Sequence, residues 1–261
     1  MNWYEALILG IIQGLTEFLP VSSSGHLEIG KALFGISGSE NLNFSIVVHG
    51  ATVLSTILVL RHEILKLLTG LFKFRMNEET IYVLKIAISM IPVLLVGILF
   101  KDIIKTLFDG SAMWFIGAML LVTALLLWLT TIIKPKEKPL TYWRALLIGV
   151  AQAIAVVPGI SRSGATIATG LMLGTRKEEV AKFSFLMVLI PILGENFLDL
   201  MSGSFSNNAS LPVSSLLIGF IAAFVTGWFA CSFMLRIVKR GKLIWFAIYC
   251  TLVGILTILF L

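Results

Sequence analysis

Two hydrophobic patterns run along the chain. The first is a set of long apolar runs, at about 43–60, 81–100, 112–133, 180–200, 213–235 and 243–261. Each approaches the ~20 apolar residues that a helix needs to cross a bilayer. None alternates with the period of a membrane β-strand. The second pattern precedes each trio of long runs: two shorter apolar pieces with a break between them. In the first half 4–19 is cut by Pro20 before 22–35 resumes; in the second, 142–157 gives way to Pro158-Gly159 and then to 161–174. Pieces of that length form helices of roughly 21–24 Å, too short for roughly 30 Å of hydrocarbon. Each pair therefore predicts a re-entrant helical hairpin. Its broken tip is tolerated at membrane depth only inside protein or beside a water-filled cavity. Residues 61–75, RHEILKLLTGLFKFR, read instead as a basic amphipathic stretch on the membrane surface.

The order recurs because the chain repeats itself. Shifted by 139 residues without a gap, 2–54 aligns on 141–193 with 12 identities in 53 positions. NWYEALILGIIQGL matches TYWRALLIGVAQAI, PVSSSG matches GISRSG, and Phe44-Ser45 matches Phe183-Ser184. Apolar composition explains some of these matches, but not Gln13/Gln152, Ser22/Ser161, Ser24/Ser163 or Gly25/Gly164. Three spans per half is an odd number, so the second half must run opposite to the first, as an inverted-topology repeat. The expected fold is an all-α polytopic membrane protein. It is one domain over 1–261, with repeats 1–133 and 134–261, each a re-entrant hairpin plus three transmembrane helices.

Composition agrees. Of 261 residues, 58% are hydrophobic and 13% charged, and the mean hydropathy is +1.00. A soluble domain averages about 45–50% apolar and about 25% charged. The net charge of +6 is informative through its distribution rather than as a nucleic-acid signal. Segments 61–80, 134–182 and 236–242 hold 4, 8 and 4 of the 20 Lys and Arg; 1–42, 101–111 and 201–212 hold 1, 2 and 0. The excess of positive charge on cytoplasmic loops places the first set inside and both termini outside. The two hairpins then enter from opposite faces, and their tips, PVSSSGH and PGISRSG, can meet near the midplane. MNWYEALILG lacks a basic leader and carries Glu5, so it does not read as a cleaved signal peptide. Cys231 and Cys250 sit in apolar runs and read as small core residues. There is no Cys/His metal cluster, P-loop or dinucleotide-binding glycine pattern.

Polar side chains at membrane depth are costly and point to function. Gln13 and Glu17, four apart, share a helix face. Pro20 ends or turns that helix, and Ser22, Ser23 and Ser24 fall where the next one starts. Serines there cap free N–H groups, and a helix N-terminus favours an anion. Gly25 and His26 follow. The second tip carries Ser161, Arg162 and Ser163 at its own helix start, then Thr166; a guanidinium is well shaped for phosphate oxygens. The combined set suits a phosphate or pyrophosphate group, whose transfer needs positioning and charge neutralisation. Each feature also has a structural reading: SSSGH as a helix cap, His26 as a hydrogen-bonded core residue, Glu17 as the buried partner of Arg162. Coincidence weighs against these, because the repeat symmetry breaks at this point. Ser23 stands opposite Arg162, Glu17 opposite Val156 and His26 opposite Ala165. Glu28 and His49 are further candidates for lining the site. Glu195 and Asp199 read as partners of a neighbouring helix or of Lys85, and His62 as a solvated loop residue.

GLTEFLPVSSSGH at 14–26 and PGISRSGAT at 158–166 resemble the two signature motifs of the bacterial undecaprenyl pyrophosphate phosphatases, the bacitracin-resistance proteins. The similarity continues through MIPVLLVGILFKDIIKTLF at 90–108, KPKEKPLTYWRALLIGVAQAIAVVPG at 134–159 and FAIY at 246–249. The resemblance implies an inverted-repeat fold with two re-entrant hairpins in the bacterial plasma membrane. It implies hydrolysis of undecaprenyl pyrophosphate to the monophosphate carrier lipid and inorganic phosphate, so that the carrier is reused in cell-wall synthesis. Bacitracin acts on the same lipid. The resemblance also implies a site open to the outer face and a need for a divalent cation, Mg²⁺ or Ca²⁺. By motif position, Gln13 and Glu17 stand where the family has acidic residues, Ser22 and Ser23 are the motif serines, and Ser24 fills a position often held by Thr. His26 is the motif histidine; Ser161, Arg162 and Thr166 match the second motif. Position 13 is Glu in many members, so this chain carries one negative charge fewer there, although the Gln13 carbonyl oxygen still suits a hard cation.

The expected site is therefore His26, Glu17, Arg162, Ser22 and Ser23 as catalytic residues. Ser24, Gly25, Ser161, Ser163 and Thr166 are expected to bind substrate, with Glu17 and Gln13 at the cation. The attacking group stays open between three routes: His26, the preferred nucleophile or base; Ser22 or Ser23 with His26 as base; and water activated by His26 or Glu17. The expected partners are the polyprenyl pyrophosphate and membrane lipid, with a homodimer left open. The main rival is a polyprenyl-phosphate flippase or transporter, since inverted repeats with broken helices also build carriers. A channel or scaffold would leave the polar constellation without a use.

Overall fold

A computed structural model describes residues 1–36, 40–100, 103, 112–133, 136–201 and 211–261, with 40–42 and 195–201 described by backbone alone. The described residues form eleven helices and no strand: α1 (Trp3–Phe18), α2 (Ser23–Phe34), α3 (Glu40–Val59), α4 (Arg61–Leu71), α5 (Glu78–Leu99), α6 (Met113–Ile132), α7 (Tyr142–Ile154), α8 (Arg162–Met172), α9 (Lys177–Met201), α10 (Val213–Arg240) and α11 (Ile244–Phe260). The chain is thus an all-α multi-pass membrane protein.

The breaks have local chemical causes. At the start of α1, the Asn2 backbone N–H donates to Glu5 Oε2 at 2.6 Å, half of a capping box. Helix α1 stops at Phe18, just before Pro20, which has no N–H to continue it. Ser22 caps α2 by accepting from the Gly25 N–H at 3.2 Å, and its repeat mate Ser161 caps α8 by accepting from Gly164 at 3.0 Å. Asn77 and Thr141 cap α5 and α7 in the same way. Helices α2 and α10 end on left-handed glycines, Gly35 at φ 64° and Gly241 at φ 69°.

Helices α1, α2, α7 and α8, of 16, 12, 13 and 11 residues, are the short apolar pieces that the pattern predicts. By length and composition, α5, α6 and α10 can each cross a membrane, and the α3–α4 pair, bent by 75°, makes a fourth candidate. Helix α11 is apolar but only 17 residues long, and the side chains of α9 are described only to residue 194. The amphipathic stretch expected at 61–75 is largely α4. His62, expected in a loop, lies instead on that helix and is exposed. Glu195 and Asp199 fall outside the described side chains, and Lys85 sits 5.8 Å from the Tyr142 ring.

Packing is reciprocal. Helix α1 of the first hairpin lies on α10, and α7 of the second lies on α5; α6 pairs with α11, and α3 with both α9 and α10. Small residues allow these approaches. A Cβ on Gly10 would overlap the Gly219 carbonyl, one on Gly14 would overlap Thr226 and the Ala223 carbonyl, and one on Gly149 would overlap Ser89. Gly117 and Gly254 face each other likewise across α6 and α11. Without a hydrophobic drive between helices in lipid, such close van der Waals contact is what holds them together. Cys231 and Cys250 are buried free thiols, as expected.

Candidate active site

The two hairpin tips touch. Ser163 Oγ on α8 donates to the Leu19 carbonyl at 3.2 Å, and a Cβ on Gly25 would come within 3.3 Å of Gly159 Cα. Helix α6 steadies the second tip through Thr123, whose hydroxyl donates to the Gly159 carbonyl at 3.3 Å and accepts from the Ser161 N–H at 2.9 Å. Gly159 itself sits at φ 94°, a region that an L side chain rarely enters. On the first tip Ser22 is held at φ 73° although it has a Cβ. That costs roughly 1–3 kcal/mol, of the kind retained where geometry serves a site. The strained turn swings Ser23 back over the end of α1.

There the Ser23 hydroxyl donates to Glu17 Oε2 at 2.6 Å. Gln13 Nε2 donates to the same oxygen at 2.9 Å, and Arg162 Nη2 reaches the other, Oε1, at 3.2 Å. His49 Nε2 lies 3.9 Å from Oε2, its Nδ1 fixed by the Ser45 carbonyl at 2.8 Å. Glu17 and Arg162 side chains are 7% and 27% exposed, so the carboxylate is a buried hub for donors from both hairpins and from α3. Beside it lies a small cavity of about 20 Å³, lined among others by Glu17, Arg162, Ser163, Thr166, Thr52 and Ser184.

The expected residues do not all converge on that hub. His26 turns away: Nδ1 meets the Ser22 carbonyl at 2.8 Å and Nε2 the Tyr249 hydroxyl at 2.9 Å, with the two rings stacked 5.5 Å apart. Both ring nitrogens are thus engaged outside the carboxylate cluster. Ser22 and Ser161 serve as caps, with Ser24 and Ser163 hydroxyls 3.3 Å from them. Thr166 returns its hydroxyl to the Arg162 carbonyl at 2.9 Å. Glu28 pairs with the buried Lys31 at 2.9 Å. Thr52, Ser184 and Tyr249 were not singled out as site residues in the sequence. A hydroxyl or ring inside an apolar run carries no local signal, although Ser184 does match Ser45 in the repeat.

A profile of the family described as bacitracin resistance protein BacA matches residues 6–256. The chain belongs to this family. Among relatives of the bacitracin resistance family, the undecaprenyl-diphosphatase of Bacteroides fragilis is 58% identical over 262 residues, covering 99% of this chain and 98% of that one. The undecaprenyl-diphosphatase of Parabacteroides distasonis is also 58% identical, with 99% and 98% covered. That of Christiangramia forsetii is 53% identical, with 100% and 98% covered.

For a chain of the bacitracin resistance family the fit of a divalent cation turns on Gln13 and Glu17. No three His, Cys, Asp or Glu side chains converge among the described residues, so there is no all-protein cage. Gln13 is fully buried. Its Nε2 faces Glu17, and its Oε1 has no hydrogen-bond partner among the described residues. The amide turns its N–H and not its oxygen to Glu17; rotated by half a turn it would set a hard oxygen beside the carboxylate, a pair that fits a cation such as Mg²⁺, which is commonly held by one or two carboxylates with substrate phosphates and water completing the shell.

Proposed function

We infer that the chain is an undecaprenyl-diphosphatase of the bacterial plasma membrane. It hydrolyses undecaprenyl pyrophosphate to undecaprenyl phosphate and inorganic phosphate. The observation that carries the mechanism is the 2.6 Å hydrogen bond from Ser23 to Glu17. Within hydrogen-bond reach of a carboxylate, the serine has a base for its proton as it attacks. The pyrophosphate enters at the paired tips while its prenyl chain stays in lipid. Arg162 and the N–H groups that open α2 and α8 bind phosphate oxygens. Ser23 Oγ attacks the terminal phosphorus, its proton passes to Glu17, and the bridging oxygen leaves with undecaprenyl phosphate, taking that proton. Water then displaces phosphate from Ser23. Gln13 Oε1 and Glu17 would hold the divalent cation, which when bound offsets the charge of the pyrophosphate. Tyr249 and the Ser22 carbonyl keep His26 in one orientation at the rim of the first tip.

Family membership favours hydrolysis over the carrier reading. The reciprocal packing of α1 on α10 and α7 on α5 supports the inverted repeat over 1–133 and 134–261. The distribution of Lys and Arg supports external termini, and the family resemblance favours a site open to the outer face. Phosphate release from a polyprenyl pyrophosphate by detergent-purified protein, with Mg²⁺, with Ca²⁺ and with EDTA, tests the reading. Release with metal and its loss with EDTA are expected. No release under any metal condition overturns it.

A further inference from the structure

Ser184 on α9 is 3% exposed, and its hydroxyl has no hydrogen-bond partner among the described residues. A buried hydroxyl left unpaired costs free energy and calls for an explanation. The repeat sharpens the question. Its mate Ser45 accepts from Lys31 Nζ at 3.3 Å, but the position matching Lys31 is Gly170, so the second half offers Ser184 no such donor. Ser184 instead lines the cavity shared with Glu17, Arg162, Ser163 and Thr166. That cavity, about 20 Å³, exceeds the ~10–15 Å³ that one water needs and falls short of a phosphate.

We propose that Ser184 positions the water that completes the reaction. This rests on the phosphatase reading above and identifies the second nucleophile within it. The water accepts a hydrogen bond from Ser184 or donates one to it, beside the Glu17 carboxylate. Its oxygen bonds to the phosphorus carried on Ser23 as the Ser23 Oγ–P bond breaks. The water's proton passes through Glu17 to Ser23 Oγ, regenerating the hydroxyl and releasing inorganic phosphate. Ser184 touches the water and neither the phosphorus nor the lipid, so it is a positioning residue.

The test is a partition experiment on the full chain in detergent, with farnesyl pyrophosphate as the probe and methanol as a competing acceptor. For Ser184→Ala, kcat should fall about tenfold, the loss of one hydrogen bond to the attacking water, and KM should fall with it, leaving kcat/KM unchanged because the first transfer does not use Ser184. The share of methyl phosphate among the phosphate products should rise several-fold, because water loses its advantage over methanol. Ser184→Thr, which keeps the hydroxyl, should restore the parental share. The share is a ratio, so it is independent of how much variant protein is folded. An unchanged share in Ser184→Ala, whatever its rate, overturns the assignment and leaves the phosphatase reading standing. Failure of the parent protein to release phosphate from farnesyl and undecaprenyl pyrophosphate alike overturns that reading itself.

Discussion

Glu17→Gln removes one charge from the hub and little else. The carboxylate accepts from Arg162, Ser23 and Gln13, with His49 at 3.9 Å. Glutamine has one acceptor oxygen where the carboxylate has two, and its amide must face one of those donors. At the 3.2 Å separation from Arg162, the pairwise attraction is roughly 5 kcal/mol at an effective dielectric of about 20. Arg162 is 27% exposed, so water recovers part of that when the partner is lost, leaving a net cost of about 2–3 kcal/mol. Thermal unfolding in detergent should therefore shift down by about 5–10 °C. The catalytic loss should be larger, because Ser23 loses its base: about 10²–10⁴-fold in phosphate release at saturating substrate. Purified protein, a melting curve and a phosphate assay suffice. A variant that melts like the parent and keeps more than a tenth of its turnover would refute both the hub and the base.

Tyr249→Phe frees His26 Nε2 without touching the carboxylate cluster. A loss of up to about tenfold in kcat, with unchanged melting, is expected from one hydrogen bond, and a loss as deep as that of Glu17→Gln would move His26 to the centre of the chemistry. Gly14→Leu drives a side chain into Thr226 and the Ala223 carbonyl on α10. It should lower the melting temperature and activity together, since α1 carries both Gln13 and Glu17; a variant with parental melting would show that the α1–α10 contact yields easily.

Much of this was legible in the chain. Pro20 and Pro158-Gly159 marked the two tips, and the repeat predicted that they are equivalent. The spacing of Gln13 and Glu17 placed them on one helix face, where they are hydrogen-bonded at 2.9 Å. The facing tips also left Glu17 and Arg162 as candidates to meet, but a separation of 145 positions in sequence gave no distance. The hydrogen bond from Ser23 to Glu17 was not legible. It depends on Ser22 adopting φ 73°, a conformation that tertiary packing imposes against the residue's own preference. His26 shows the opposite case: the motif placed it at the tip, while its direction was decided by Tyr249, 223 residues away. Ser184 and Thr52 stayed hidden because a hydroxyl in a membrane helix ordinarily bonds back to its own backbone, as Thr52 does to the His49 carbonyl.

The seat of α1 on α10 has a consequence for biosynthesis. The ribosome delivers the first hairpin, with Gln13, Glu17 and Ser23, long before residues 213–240 exist. Arg162 arrives in the interval, on the second hairpin. Until α10 is made, α1 lacks the helix against which Gly10 and Gly14 pack, and the carboxylate hub it carries has no fixed floor. The floor of the hub is therefore laid late, by a helix that lends it no candidate catalytic side chain. Shortening the chain ahead of α10 would release its N-terminal end, not merely trim its C-terminal one.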